Sequence, residues 1–182
     1  MPSFLQKLDD LLARYLAYFN YKNYVNHMNL RGNERILEIG CGGGNLSRFL
    51  AESLPLGELV CIDISEYWIK KAENRLKKYK NIRFQTSDIM DFNKKDYFDI
   101  AVLHYILHDI PKEKRADAVK VLGRGLKNKS KIYIREPIRE NHGIPSEETK
   151  ILMEQENFLE SASKEGYYFP IRGKIYEGVF ER

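Results

Sequence analysis

Four glycines occupy five consecutive positions in the segment GCGGG, residues 40–44. The segment directly follows an apolar run and precedes a stretch in which apolar residues recur at helical spacing. Glycine loses more backbone freedom on folding than any other residue, so such a cluster is costly inside a well-patterned sequence. We therefore expect a ligand to approach the backbone closely at this loop, where a Cβ atom would obstruct it.

Acidic and histidine side chains stand at the predicted ends of neighbouring strands. Asp63 ends the second strand and Asp88 the third, while the fourth ends near His104 and the fifth near Glu136. Open α/β sheets bind ligands outside the carboxyl ends of their parallel strands. An acid about 20 residues beyond a glycine turn is suited to two ribose hydroxyls. These residues therefore predict a crevice for a nucleoside.

The spacing of the glycines distinguishes two classes of nucleoside cofactor. A dinucleotide site has the frame G-x-G-x-x-G/A, and the last position of that frame is Asn45 in this chain. The frame that is present is E-x-G-x-G-x-G, formed by Glu38, Gly40, Gly42 and Gly44. This difference argues against an NAD-dependent dehydrogenase.

The elements that position these residues alternate between strand and helix. Apolar runs predict the strands, and apolar residues at helical spacing predict the helices between them. Such alternation implies a parallel sheet covered by helices on both faces. The predicted strands are 34–39, 58–63, 82–88, 97–105 and 130–137; the predicted helices are 45–54, 65–80, 111–126 and 146–163; and a terminal hairpin is predicted within 167–182, around Arg172 and Gly173.

In combination, these motifs resemble those of the class I S-adenosylmethionine-dependent methyltransferases, over residues 34–182. The resemblance implies an α/β fold, a three-layer Rossmann-like parallel sheet with a C-terminal antiparallel hairpin strand, which 166–181 would supply. It also implies S-adenosyl-L-methionine as cofactor and S-adenosyl-L-homocysteine as its product. One local departure is the turn at 128–130, where the family often has a glycine pair.

The same resemblance implies a role for each residue of the cofactor site. The loop of Gly40, Gly42 and Gly44 would lie against the methionine part, Asp63 would hold the ribose, and Asp88 would meet the adenine amino group. Two structural alternatives stay open: Glu38 anchors the loop, and Asp88 caps the next turn. The predicted cofactor-binding set is completed by Ile89, which would flank the adenine ring, and by Glu38, Ile64 and His104.

Candidates for a general base lie in the segment LHYILHDIP, residues 103–111. His108 resembles the general base of small-molecule O-methyltransferases, and it equally resembles a histidine of quinone-type methyltransferases that is not generally a base. A packing role for His108 therefore stays open beside the catalytic one. His104, His108 and Asp109 suggest a metal site only weakly, and no metal is predicted because a third well-placed ligand is not evident.

The leading prediction for function is methylation of a small-molecule acceptor on oxygen, nitrogen or carbon. The motif [DN]-P-P-[YF] of enzymes that methylate base amino groups is absent from the sequence, as is the Pro-Cys pair of cytosine C5 methylation. The basic residues between 70 and 80 are spaced as a solvated helix face, so nucleic acid is the lesser expectation. Two alternatives stay open: an RNA or protein methyltransferase, and a non-catalytic module that binds S-adenosylmethionine.

The first 30 residues precede the sheet and form an N-terminal helical extension or lid of a single predicted domain, 1–182. An apolar stripe runs from Phe4 to Phe19, and tyrosines continue to Tyr24. The stripe either packs on the sheet or covers the acceptor, and an aromatic cover favours a flat or partly apolar acceptor. We expect that acceptor at a histidine-rich rim that includes His142. Trp68 is assigned to core packing on its own helix.

Composition sets the remaining expectations. The chain has 182 residues, of which 43% are hydrophobic, and a net charge of +4, which is weak evidence for nucleic acid. No apolar run reaches the ~20 residues of a membrane span, and the N-terminus has no secretory pattern. Cys41 and Cys61 are read as free thiols, so the expected location is the cytoplasm. The sequence leaves the oligomeric state unknown.

Overall fold

The computed structural model describes residues 3–138, 143–168 and 173–182. Within these ranges the chain forms seven strands and six α-helices. The strands are β1 (Arg35–Ile39), β2 (Glu58–Asp63), β3 (Ile82–Thr86), β4 (Phe98–His104), β5 (Leu126–Pro137), β6 (Leu159–Tyr167) and β7 (Lys174–Glu181). The helices are α1 (Phe4–Leu16), α2 (Tyr18–Asn26), α3 (Ser47–Glu52), α4 (Glu66–Leu76), α5 (Lys112–Gly125) and α6 (Ser146–Glu154).

All seven strands belong to one sheet, in the order β3-β2-β1-β4-β5-β7-β6. The first five pair in parallel, whereas β7 is antiparallel to both β5 and β6. This confirms the predicted parallel sheet with a C-terminal antiparallel hairpin. The strand order reverses between β1 and β4, and this switch point is where ligands bind in open α/β sheets.

Helices cover both faces of the sheet because strands buried on both sides project alternate apolar residues to each face. On one face, Leu37 of β1 packs in a cluster with Val119 of α5. On the other face, Ile36 packs in a cluster with Leu50 of α3 and Val25 of α2. The three-layer arrangement therefore places the N-terminal helix α2 in the core beside α3 and α4.

The predicted helix over 146–163 is wrong in its second half. α6 ends at Glu154, and Asn157 has a left-handed φ of +61°, which stops the helix before β6 begins. β6 is an edge strand with mostly exposed side chains, so it lacks the apolar alternation by which a strand is predicted. Pairing with β7 makes it a strand. Residues 169–172 of the predicted hairpin, with Arg172, lie outside the described residues.

The apolar stripe of the N-terminal segment has two different environments. Tyr21 and Tyr24 of α2 are buried against the sheet. Side chains of α1 and its junction with α2, among them Phe4, Tyr15 and Phe19, are largely exposed. No helix among the described residues is long and apolar enough to cross a membrane.

Candidate cofactor site

The glycine loop joins β1 to α3 through backbone that other residues rarely adopt. Gly40 has φ +68° and Gly42 has φ +51°, both in the left-handed region that favours glycine. A Cβ at Gly40 would lie 2.5 Å from Cδ1 of Ile106, whereas a Cβ at Gly42 would have no heavy atom within 4 Å. Gly40 therefore allows close packing, and Gly42 leaves space open beside the backbone.

The carboxylate of Asp63, at the end of β2, holds this loop in place. Its Oδ2 accepts a hydrogen bond from the Gly42 amide at 2.9 Å, and its Oδ1 accepts one from Ser65 at 2.8 Å. Each carboxylate oxygen has a second lone pair. Asp63 can therefore accept hydroxyl hydrogen bonds from a ligand while it keeps the loop in position.

A first cavity of about 270 Å³ opens at the ends of β2 and β3. Asp88 lines it and also accepts a hydrogen bond from the Met90 amide at 3.0 Å, which caps a short 3-10 helix over Ile89–Asp91. The cap uses Oδ1, so Oδ2 can accept a bond from a ligand. The lining brings together five predicted residues, Gly40, Asp63, Ile64, Asp88 and Ile89, with apolar side chains that include Ile106 and Ile110.

A second cavity of about 240 Å³ lies on the other side of Gly40, at the ends of β1 and β4. Four predicted residues line it, Glu38, Gly40, Gly42 and His104. Tyr21, from the N-terminal stretch expected to pack on the sheet or cover the acceptor, also lines this cavity. Three further lining residues, Asp10, Trp68 and Tyr105, were not placed here by sequence reasoning. Trp68 thus reaches the cavity, which corrects its assignment to core packing. The two cavities share Gly40, so one extended ligand can pass along the loop.

Glu38 is the acid at the floor of the second cavity, with a side chain that is 2% exposed. The Cys61 thiol donates to its Oε2 at 3.2 Å. Burial raises the pKa of Glu38 to about 7, because interactions with Ser47 and Cys61 compensate only part of the lost hydration. A cationic ligand group beside Glu38 would favour its ionised form.

Asp10 of α1 fastens the N-terminal helix to the glycine loop. Its carboxylate forms ion pairs with Lys71 at 2.8 Å and Arg75 at 2.7 Å, both on α4. Arg75 also donates to the Gly43 carbonyl at 2.9 Å. Burial raises the pKa of Asp10, but the hydrogen bonds and charges of Arg75 and Lys71 outweigh that effect and lower it. α1 is thereby held over the loop by charge.

Residues 36–129, more than half of the 182-residue chain, match a family model described as a methyltransferase domain. The chain belongs to the S-adenosylmethionine-dependent methyltransferase family. An uncharacterized methyltransferase of Staphylococcus carnosus (strain TM300) is 27% identical over 155 residues, covering 84% of this chain and 72% of that protein. Trans-aconitate 2-methyltransferase of Mycobacterium tuberculosis (strain ATCC 25177 / H37Ra) is 29% identical over 102 residues, covering 53% of this chain and 37% of that protein.

The chain spans less than half the length of several curated relatives. Among solved structures, the Burkholderia thailandensis 1,6-didemethyltoxoflavin-N1-methyltransferase superposes with a TM-score of 0.80 at 14% identity, covering 99% of this chain and 84% of that chain. That crystal structure contains 1,6-didemethyltoxoflavin and S-adenosylhomocysteine. At this identity the likeness establishes the shared fold.

The residues of this chain suit the family cofactor. The backbone at Gly42 is a cradle that any side chain would fill, and it lies between acids that suit a ribose and an ammonium group.

Asp10 lay outside any motif, because it comes from the N-terminal helix α1. The only sequence signal for that segment was its aromatic and apolar pattern.

The two histidines at and after the end of β4 have different surroundings. His104 lines the second cavity, and burial and the nearby Arg135 charge hold its pKa well below the usual range.

His108 lines neither described cavity. Its Nδ1 lies 2.5 Å from Oε2 of Glu136, whose Oε1 accepts from the Ile106 and Leu107 amides. Burial lowers the pKa of His108, but the Glu136 hydrogen bond and charge raise it overall. His142, predicted at the same rim, lies outside the described residues.

Proposed function

We propose that this protein transfers the methyl group of S-adenosylmethionine to a small-molecule acceptor. The observation that carries the proposal is the pair of cavities that share Gly40, with Asp63 and Asp88 in one and Glu38 and His104 in the other. When bound, the cofactor supplies a methyl group on a positively charged sulfur. The relatives' acceptors, trans-aconitate and didemethyltoxoflavin, are small molecules, which supports the same class here.

The first cavity would take the adenosine half of the cofactor. Asp63 would accept the ribose hydroxyls, and Asp88 would accept the adenine amino group through the oxygen that the Met90 amide leaves available. Ile64 and Ile89 would pack against the adenosine. The second cavity would take the methionine half, with the Gly42 backbone close to it and Glu38 favouring its ammonium group.

The acceptor would enter beside His104, under the N-terminal helices. Tyr21 and Trp68 line that side of the second cavity, and their rings favour a flat or partly apolar acceptor. Enclosing the reacting atoms also removes water, which strengthens the electrostatic interactions inside the site. The function of α1 and α2 as a lid is therefore part of this proposal.

The catalytic role of His108 stays a prediction. Its hydrogen bond to Glu136, together with the bonds of Glu136 to two amides of the same loop, supports a positioning role for the segment after β4.

A cytoplasmic location also stays a proposal. It is supported by Cys41 and Cys61, which are buried free thiols as in proteins of reducing compartments.

Calorimetry on the full chain tests the cofactor assignment. S-adenosylhomocysteine is expected to bind with micromolar affinity and NAD not to bind. Asp63→Ala removes a charged hydrogen-bond acceptor and is expected to weaken binding by roughly 2–3 kcal/mol. Asp91→Ala, which removes an exposed acid of the 3-10 helix after β3, is the control and should bind normally. Unchanged affinity in Asp63→Ala would refute the assignment.

An acceptor screen with a labelled methyl group tests catalysis. Transfer to a small molecule supports the proposed reaction. Cofactor binding without turnover on any acceptor would instead indicate the non-catalytic module, and transfer to RNA or protein would indicate a polymer acceptor.

A further inference from the structure

A cluster of buried polar atoms lies behind the second cavity without hydrogen-bond partners. Four such atoms are Tyr24 Oη, His104 Nε2, Tyr105 Oη and Arg135 Nη1, each unpaired among the described residues. Buried polar groups are nearly always paired, and an unpaired one costs stability. Four together need an explanation, and a polar ligand that completes them provides one.

The four residues form one continuous surface. The guanidinium carbon of Arg135 lies 4.1 Å from the centre of the Tyr24 ring. The rings of His104 and Tyr105 are 4.2 Å apart, and those of His104 and Tyr24 are 5.6 Å apart, centre to centre. His104 and Tyr105 line the second cavity. Tyr24 packs on the His104 ring, and Arg135 is the register partner of His104 across β4 and β5. The cluster therefore adjoins the place where the acceptor would meet the methyl group.

Arg135 is the buried cation of the cluster. Arg135 is buried on β5 and donates through Nε to Oε1 of Glu177 at 2.9 Å, and Nη2 donates to the same oxygen. The second oxygen of Glu177 pairs with Lys164 at 3.1 Å. Two cations thus share the Glu177 carboxylate. Nη1 of Arg135 takes no part in these bonds.

The tyrosine hydroxyls of this cluster remain protonated at neutral pH. Burial raises the pKa of Tyr24 and of Tyr105, although the Arg135 charge opposes the increase. Both hydroxyls can therefore donate hydrogen bonds, as Arg135 Nη1 does. Three donors, one of them a guanidinium, complement an anionic oxygen group, and arginine binds carboxylates especially well.

We propose that Tyr24, Tyr105 and Arg135 form an acceptor subsite that binds a carboxylate. The proposal rests on the methyltransferase function proposed above and specifies its acceptor as a small carboxylic acid. His104 Nε2 contacts the same molecule on the side of the cofactor loop. Tyr24 belongs to α2, so the N-terminal segment contributes directly to acceptor recognition.

The test uses the full chain saturated with S-adenosylhomocysteine. The probes are small carboxylates, each paired with its neutral amide: benzoate with benzamide, cinnamate with cinnamamide, and salicylate with salicylamide. We expect carboxylates to bind at least roughly tenfold more tightly than their amides, because a charged hydrogen bond to arginine is lost in the amide. Tyr105→Phe and Tyr24→Phe are each expected to weaken carboxylate binding by roughly fivefold to tenfold.

Thermal unfolding of the ligand-free variants separates recognition from structural support. Each Phe variant removes a hydroxyl that is unpaired in the free protein, so its melting temperature should equal or exceed that of the unmodified chain. Tyr133→Phe is the matched control: its hydroxyl donates to the Met28 carbonyl at 3.0 Å, so it should melt lower and still bind carboxylates normally.

The outcomes distinguish this subsite from the proposed function. If S-adenosylhomocysteine does not bind the unmodified chain, the proposed function fails and the subsite with it. If S-adenosylhomocysteine binds but no carboxylate binds more tightly than its amide, the subsite alone is refuted. A lower melting temperature in both Tyr24→Phe and Tyr105→Phe would also refute it, because the hydroxyls would then have structural partners.

Discussion

The buried acid Glu38 makes stability depend on pH in a direction opposite to that of an ordinary paired carboxylate. Its pKa rises from the usual 4.5 to about 7 because of burial. Folding therefore favours its protonated form, so its contribution to stability is complete below pH 4.5 and is lost as pH rises through 7. One pH unit is worth about 1.4 kcal/mol, so the loss is about 3 kcal/mol, most of it between pH 5 and pH 8.

Glu38→Gln keeps the shape of the side chain and cannot ionise, so it isolates this effect. We expect the stability of the unmodified chain relative to Glu38→Gln to fall by about 3 kcal/mol across that range. Urea unfolding of both proteins at pH 5 and pH 8, without ligand, measures the difference. A difference that does not change with pH would refute the reasoning.

The same residue links cofactor affinity to pH. An ammonium group beside Glu38 stabilises its carboxylate, so S-adenosylhomocysteine should bind with release of a proton below pH 7. Calorimetry in buffers of different ionisation enthalpy detects that proton, and Glu38→Gln should not release it. Proton release of equal size in both proteins would place the ammonium group away from Glu38.

Two further changes test the surroundings of the site. Asp10→Ala leaves Lys71 and Arg75 without their shared partner, so it should lower the free energy of unfolding in urea by about 3 kcal/mol and weaken S-adenosylhomocysteine binding. The exposed control Glu66→Ala should do neither. Equal effects of the two substitutions would contradict the interpretation that the ion pairs of Asp10 fasten α1 to the loop. If His108 is the base, His108→Gln should lower turnover by roughly 10²–10⁴-fold with cofactor affinity intact. The raised pKa of His108 implies that its contribution to stability is complete below pH 6.5 and is lost as pH rises through the folded-state pKa. A His108→Gln variant that is less stable than the unmodified chain at low pH and that also loses cofactor binding would therefore show a structural role.

The sequence determined the parallel sheet and the half of the site that lies in motifs. Residues such as Gly42 and Asp63 were predictable because they stand directly after strands, and the ends of parallel strands must meet at one edge of a sheet. The sequence also predicted a terminal hairpin, although the helix predicted over 146–163 overlaps the first half of β6. An exposed edge strand has no apolar alternation, and its hydrogen bonds to β7 are long-range.

The tertiary structure alone decided what surrounds the candidate cofactor site. Asp10 on α1 meets Arg75 on α4, and Tyr24 on α2 meets Arg135 on β5, across 65 and 111 positions of the chain. No local pattern records such contacts, because each side chain taken alone resembles an ordinary member of its element. Packing of the N-terminal helices against the strand ends brings these charges and hydroxyls together. Burial then alters their pKa values and leaves some of them unpaired, which is why they can serve a ligand.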